Sequence, residues 1–203
     1  MELSKKSLEE AKKFLNKYQE AYSKGVDNAV KYATEMMYNK VLEYCYANGI
    51  SNHIGAIKRE YDDVTKIGRV YTSNEVIIFN EMGTGITGLN NPHPNPDGPF
   101  KSWKYDVNHH GEDGWYYPTT PSDPNPYKYV KDGILYGWTK GLPSRSMFYN
   151  AFLDIKNEIG NIVDVEIRKT VGDLYWYLKK CLIIKFILRW RNMLKKNQNI
   201  IHL

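Results

Sequence analysis

The stretch Ile54–Phe79, IGAIKREYDDVTKIGRVYTSNEVIIF, decides the fold class, because the pattern of the chain changes there from helical to extended. Apolar and polar residues alternate over Ile57–Tyr61, and two more extended runs follow at Ile67–Thr72 and Val76–Phe79. Such alternation is typical of half-buried strands. Short polar pairs with turn chemistry separate the runs: Asp62-Asp63 and Ser73-Asn74. The stretch therefore predicts a small antiparallel β-meander of three strands.

Helical periodicity precedes the extended stretch. Apolar residues recur at three- and four-residue steps over Leu8–Tyr22 and again over Val30–Tyr44. Ser7 begins a capping-box pattern at the start of the first run, and Gly49 supplies a stop after the second. Gly25 either breaks this region into two helices or bends a single one, and the sequence leaves both alternatives open.

Another helix is predicted on the far side of a long loop. It begins at Ser144 or Ser146, places Phe148 and other apolar residues on one face, and ends at Gly160. The segment Val163–Arg168 fits either a strand or a further turn of helix. Beyond it the chain is apolar and basic together, a pattern that indicates a helical tail, and its lysines interrupt every window long enough to span a membrane.

The loop between Gly83 and Pro143 combines two opposing signals. It holds eight of the nine prolines, which argue against regular elements because proline fixes its backbone and lacks an N–H. It is also rich in tryptophan and tyrosine, which argue against disorder. We therefore expect an ordered, irregular excursion that packs on the protein or on a neighbouring copy.

These patterns predict an α+β fold with N-terminal helices, a small β-meander, the long Gly/Pro/aromatic loop, a core helix and a basic apolar C-terminal tail. We expect one domain over 1–160, interrupted by an insertion at 86–143, and a C-terminal extension over 161–203. The 203 residues suffice for one full core. Cys45 and Cys181 form neither a disulfide framework nor a zinc pattern, and no signal peptide is apparent, so we expect synthesis in the cytosol.

Few side chains suggest chemistry. The pair His109-His110 lies near several carboxylates, but its spacing matches no metal-ligand signature, so solvated histidines are the simpler interpretation. Glu81 has no evident partner acid, nucleophile or oxyanion site. The residues indicate no cofactor, no metal and no catalytic group, so we expect that the chain is not an enzyme.

Two segments carry a family resemblance. VIIFNEMGTGI at 76–86 resembles the strand followed by Glu-Phe-Gly-Thr-Gly that marks the neck and tail-completion (head–tail connector) family of long-tailed bacteriophages, with Met82 in the phenylalanine position. TKGLPSRSMF at 139–148 resembles the entry to that family's last core helix, with serines replacing an alanine and a proline. The matching residues are Glu81, Gly83, Thr84, Gly85, Gly141, Pro143, Arg145 and Phe148.

The resemblance implies a virion protein, made in the host cytoplasm, that assembles as a ring between the portal side and the tail tube. Its implied partners are copies of itself, a portal adaptor or head-closure protein, a tail-terminator or tail-tube protein, and genomic DNA passing through the lumen, with no membrane. The candidate interface residues are Trp103, Trp115, Tyr116, Tyr117 and Trp138.

Two other functions remain open at this stage. The chain has no acidic residue after Asp173, so the tail is a candidate for phosphate contacts through Lys179, Lys180, Lys185, Arg189 and Arg191. That pattern suits a nucleic-acid-binding phage accessory protein. A metal-dependent hydrolase built on His109 and His110 is the weaker alternative.

Overall fold

The structure, a computed structural model, describes residues 5–95 and 101–198, with side chains described at 5, 7–95 and 101–172. The chain forms four α-helices, two short 3-10 helices and five strands within this range. In chain order they are α1 (Lys5–Ala47), a 3-10 helix (Ser51–Ala56), β1 (Ile57–Asp62), β2 (Ile67–Thr72), α2 (Glu75–Met82), α3 (Gly85–Asn90), a 3-10 helix (Gly111–Asp113), β3 (Trp115–Pro118), β4 (Lys128–Lys131), β5 (Ile134–Thr139) and α4 (Met147–Gln198). The predicted α+β class is confirmed.

The chain divides into two compact units. The body unit is Thr34–Asn157, and the helical unit consists of Met1–Ala33 with Glu158–Leu203. The sequence-based division into a domain over 1–160 and a C-terminal extension over 161–203 stays a prediction. The helix end predicted at Gly160 is wrong, because α4 continues through it to Gln198, which also makes Val163–Arg168 helical.

Helix α1 runs without interruption from Lys5 to Ala47, so the helix start predicted at Ser7 is wrong and Gly25 lies inside one helix. Gly49 adopts a φ of 73° and its N–H donates to the Tyr46 carbonyl at 3.0 Å, which confirms the predicted stop. Gly25 is needed for close packing within the helical unit. A Cβ there would lie 2.8 Å from Cα of Ile167 and 2.6 Å from Oγ1 of Thr170.

Alanine substitutions at two helical glycines are expected to have opposite effects. Gly160→Ala should raise the free energy of unfolding by about 0.5–1 kcal/mol, because alanine favours a helix and a Cβ at Gly160 meets no atom within 4 Å. Gly25→Ala should lower it by about 1–2 kcal/mol, because the overlap with Ile167 outweighs the same helical gain. Urea unfolding followed by circular dichroism measures both, and a stabilised Gly25→Ala protein would contradict the close packing.

The core of the body unit joins α1, β1, α2 and α4. Its buried side chains are Val41, Cys45, Ile50, Ile57, Ile77, Met147 and Ala151. Burial, with a smaller contribution from the charge of Glu81, raises the pKa of the Cys45 thiol to about 11. Cys45 is therefore a packing residue rather than a nucleophile.

The β-meander contains two of the three predicted strands. β1 and β2 pair antiparallel, with Ile57 opposite Thr72, and the Asp62 carboxylate accepts the Val64 N–H at 2.8 Å in the connecting turn. The prediction of a third strand at Val76–Phe79 is wrong, because that segment belongs to α2. Asn74, expected in a turn, is instead the N-cap of α2, since its side-chain oxygen accepts the Ile77 N–H at 3.2 Å.

The long loop contains a regular sheet. β3, β5 and β4 form an antiparallel sheet in that order, with Tyr116 opposite Trp138 and Tyr129 opposite Tyr136. The expectation that proline excludes regular structure here is wrong. Pro118 closes β3, and Pro121, Pro124 and Pro126 lie in the connection to β4 rather than inside a strand.

Candidate functional site

The two segments that carry the family resemblance meet in the body unit, and Glu81 lies at their junction. Glu81 occupies the last turn of α2 and is 6% exposed. Its Oε2 accepts the Phe148 N–H at 2.8 Å, and its Oε1 accepts the Tyr149 N–H at 3.0 Å. Because the first N–H groups of a helix have no partner within it, Glu81 caps α4 from another element and places a negative charge at its positive end.

His93 completes this junction and is 8% exposed. Its Nδ1 accepts the Asn95 N–H at 3.1 Å, so the proton lies on Nε2, which donates to Oε1 of Glu81 at 3.2 Å. The ring meets the Tyr149 ring edge-on, with 5.3 Å between centroids. Sequence reasoning missed His93 as a site residue, because nothing in its proline-rich surroundings indicates burial.

The Gly83-Thr84-Gly85 turn pairs with Lys140–Leu142 through the backbone. The Thr84 N–H donates to the Leu142 carbonyl at 2.8 Å, and the Leu142 N–H donates back to the Thr84 carbonyl at 3.1 Å. Gly141 has a φ of 102°, and a Cβ on it would overlap the Thr84 carbonyl oxygen. The glycines of both segments are therefore needed for a close backbone–backbone approach.

Ser144, Arg145 and Ser146 extend this pairing up to the start of α4. The Arg145 N–H donates to the Asn80 carbonyl at 2.8 Å, and the Ser146 N–H donates to the Glu81 carbonyl at 3.2 Å. The Arg145 guanidinium donates to the Asn48 carbonyl, just past the end of α1. Ser146 directly precedes α4, which agrees with one of the two helix starts predicted from the sequence. The side-chain cap of α4 is the carboxylate of Glu81 rather than a serine hydroxyl.

The remaining motif residues differ in exposure. Pro143 is exposed, whereas Phe148 is half-buried and packs against the core of the body unit. A cavity of about 360 Å³ opens beside Phe148. Glu81 and His93 line it together with apolar side chains, among them Met37 and Ile77. In this cavity the two polar groups are hydrogen-bonded to each other, with 3.2 Å between His93 Nε2 and Glu81 Oε1.

Three of the five candidate interface residues contact other groups within the body unit. Trp103 donates through Nε1 to the Gly83 carbonyl at 3.0 Å, and Trp115 packs on the His110 ring with 5.0 Å between centroids. The Tyr117 hydroxyl donates to Asp123 at 2.7 Å. The three aromatic side chains line a cavity of about 1000 Å³. These three side chains therefore stabilise the insertion internally and are not exposed to a partner protein in the way that an interface residue is.

The opposite side of the three-stranded sheet carries an aromatic face. Because side chains alternate along strands, this face combines five rings: Tyr116, Tyr127, Tyr129, Tyr136 and Trp138. Tyr116 and Tyr127 are 55% and 66% exposed. The Tyr116 and Tyr129 rings meet edge-on at 4.6 Å, and Tyr129 stacks on Tyr136 at 5.4 Å. The aromatic face is thus a pre-formed, exposed surface, of which the sequence predicted Tyr116 and Trp138.

The connection between β3 and β4 holds this sheet in place. Asp123 accepts hydrogen bonds from Tyr117 and Thr119, and the Thr119 contact is the main reason that the pKa of Asp123 lies below its ordinary value. Asn125 donates from its side chain to the Trp138 carbonyl at 2.6 Å. The proline-rich connection is therefore ordered by side-chain hydrogen bonds rather than by secondary structure.

The turn at His109-His110 is held by backbone hydrogen bonds to Asp106. Asp106 accepts the N–H groups of His110 and Gly111 at 3.0 and 2.8 Å, contacts that lower its pKa and fold the turn at His109-His110. Among residues with described side chains, no three His, Cys, Asp or Glu are grouped to hold a metal ion. No helix within the described range is long and apolar enough to cross a membrane.

The tail residues proposed for phosphate contacts lie on the C-terminal part of α4. The helix predicted for this tail is confirmed over its described backbone, which reaches Gln198. The side chains of Lys179, Lys180, Lys185, Arg189 and Arg191 lie outside the described residues, as does the backbone of Pro96, Pro99 and Phe100 in the long loop.

Comparisons with protein-family models, with curated proteins and with solved structures find no match to this chain.

Proposed function

We propose that this chain is a structural protein of the head–tail junction of a long-tailed bacteriophage, where it assembles as a ring subunit between portal-side proteins and the tail tube. The observation that carries the proposal is the aromatic face, which lies exposed on an ordered insertion. Large amphipathic rings with little conformational freedom to lose are the residues that protein interfaces favour. A virion subunit needs such a surface to join its neighbours.

The role of the motif residues also supports a structural function. Among the described carboxylates Glu81 is the least exposed, at 6%, yet its oxygens already accept three N–H groups. Gly83, Gly85 and Gly141 serve close backbone contacts. Residues engaged in this way fix the insertion to the start of α4, and a fixed insertion presents the aromatic face in one orientation, as repeated ring contacts require.

Cryo-electron microscopy of intact particles from the source of the sequence tests the proposal. We expect density for this chain as a ring at the head–tail junction. Complete particles that lack the chain would overturn the proposal. They would favour the nucleic-acid function, which rests on the seven Lys and Arg that follow Asp173 and predicts DNA binding that weakens steeply with salt.

Substitutions in the aromatic face test the ring contact directly. The double variant Tyr116→Ser/Tyr129→Ser should shift assembly to at least about tenfold higher protein concentration, since tyrosine is enriched among the interface residues whose truncation costs about 2 kcal/mol or more. Light scattering over a concentration series, with and without the neighbouring virion proteins, measures this shift. Tyr46→Ser is the control, because Tyr46 is 58% exposed on α1 and lies outside the aromatic face. Unchanged assembly of the double variant would exclude this face as the contact.

A further inference from the structure

The cavity of about 360 Å³ beside Phe148 has a buried floor and an exposed aromatic mouth. Ile77, Glu81 and His93 line it and are all buried. Tyr71 and Phe152 also line it but are 42% and 47% exposed, so the cavity opens toward solvent on their side. Ligand sites commonly have volumes of about 300–1000 Å³, and this volume near the lower limit suits a molecule of about ten non-hydrogen atoms.

Glu81 gives this cavity a single negative charge. Among the described residues that line the cavity, it is the only Asp, Glu, Lys or Arg. The three N–H groups that its oxygens accept favour the ionised carboxylate. His93 does not cancel the charge, because its Nδ1 accepts the Asn95 N–H and the ring is therefore neutral.

The described contacts leave one hydrogen-bonding position of this carboxylate unused. An ionised carboxylate has about four lone-pair positions, two on each oxygen. Oε1 of Glu81 accepts N–H groups from His93 and Tyr149, whereas Oε2 accepts the Phe148 N–H. Oε2 can therefore accept one more donor, and a positively charged donor forms the stronger bond.

The walls of the cavity favour a cation with an apolar body. Four aromatic side chains line it: Tyr71, Phe148, Tyr149 and Phe152. The face of such a ring attracts a cation that lies within about 6 Å of its centre. Met37, Val70 and Ile78 supply aliphatic wall, which suits hydrocarbon. An anion would be repelled by Glu81, and a neutral molecule would gain only from the apolar walls.

We propose that this cavity is a binding site for a small organic cation, an ammonium group attached to a hydrocarbon or aromatic body. The ammonium group donates to Oε2 of Glu81, and the body lies against the aromatic and aliphatic walls. This proposal does not depend on the head–tail function. A free amine and the lysine side chain of another protein both offer this chemistry.

Three benzene derivatives of nearly equal size separate charge from apolar fit: benzylammonium, benzyl alcohol and benzoate. Isothermal titration calorimetry on the full chain at neutral pH should give a dissociation constant on the order of 0.1–1 mM for benzylammonium. Benzyl alcohol should bind at least about tenfold more weakly, and benzoate more weakly still. Equal binding of benzylammonium and benzyl alcohol, or no binding of benzylammonium, overturns the proposal.

The methylamide of N-acetyl-lysine distinguishes the two sources of the cation in the same experiment. Tighter binding of this compound than of benzylammonium assigns the site to a lysine side chain of a partner protein. Weaker binding assigns the site to a free amine.

Matched variants locate the binding. Phe152→Ala removes a ring from the mouth and should weaken benzylammonium binding at least about threefold. Phe79→Ala removes the same ring from α2, where Phe79 is similarly exposed but lines the other cavity, and should leave the dissociation constant unchanged. Circular dichroism confirms that both variants stay folded. Equal weakening by the two variants overturns the assignment to this cavity.

Glu81→Gln tests the role of the charge. The glutamine keeps the shape of the side chain but removes its negative charge, so the preference for benzylammonium over benzyl alcohol should be lost. A folded Glu81→Gln protein that keeps this preference overturns the proposal, and the phenylalanine pair decides the matter if the variant does not fold.

Discussion

Replacing Glu81 with alanine is expected to lower the free energy of unfolding by about 3–5 kcal/mol. The substitution leaves the N–H groups of Phe148 and Tyr149 without their acceptor at the start of α4 and removes the partner of His93 Nε2. Each orphaned buried donor costs about 1–3 kcal/mol, and water entering the space left by the side chain recovers part of that cost. Urea unfolding followed by circular dichroism and tryptophan fluorescence measures the change.

Two further variants separate the capping role from a general effect of losing a carboxylate. Glu158→Ala removes the same side chain from an exposed position in α4 and should change stability by less than about 0.5 kcal/mol. Glu81→Gln keeps one carbonyl oxygen as an acceptor but places an amide NH₂ group opposite N–H donors. Its loss of unfolding free energy should therefore lie between the losses of Glu158→Ala and Glu81→Ala. A Glu81→Ala protein within about 1 kcal/mol of the original would show that other groups cap α4.

The sequence predicted the elements whose signals are local. The β1–β2 hairpin follows from alternation and from the Asp62-Asp63 turn, and the end of α1 follows from Gly49. The run Val76–Phe79 was interpreted wrongly as a strand, because four apolar residues fit either period. The deciding contact is the Asn74 cap at Ile77, a signal that is equally typical of a turn.

Some members of the candidate site could be predicted from the sequence, but its geometry could not. The resemblance selected Glu81, Gly83 and Gly141 as important positions. It gave no indication that the carboxylate at position 81 caps a helix that begins sixty-six residues later. Contacts over such sequence separations leave no periodic trace in a single chain, and the same reason explains why buried His93 escaped notice.

Alternation along β3 explains the mixed outcome for the aromatic residues. Trp115, Tyr116 and Tyr117 are consecutive, so composition treats them alike. In a strand their side chains point to opposite sides, which sends Tyr116 to the exposed aromatic face and the other two toward the cavity that also holds Trp103. To predict which side of the sheet each ring occupies, one must first know that Trp115–Pro118 is a strand. The neighbouring prolines argue against a strand there.

Gly141→Ala is expected to be the most damaging single methyl addition among the glycines of the site, lowering the free energy of unfolding by about 4 kcal/mol or more. The added Cβ would overlap the Thr84 carbonyl oxygen and would also lie 2.9 Å from Cα of Gly85. Both obstacles belong to backbone, which cannot turn aside as a flexible side chain can. Relief requires separating the two paired segments, with loss of the hydrogen bonds between Thr84 and Leu142.

Gly133→Ala is the matched control for this effect, because Gly133 also has a positive φ, 78°, but a Cβ there meets no atom within 4 Å. Its cost should be that of the left-handed backbone alone, about 1–2 kcal/mol. The difference between the two variants in urea unfolding therefore isolates the contact between the two motif segments. If both variants lost the same stability, the segments would be free to move apart, and the fixed orientation proposed for the aromatic face would lose its physical basis.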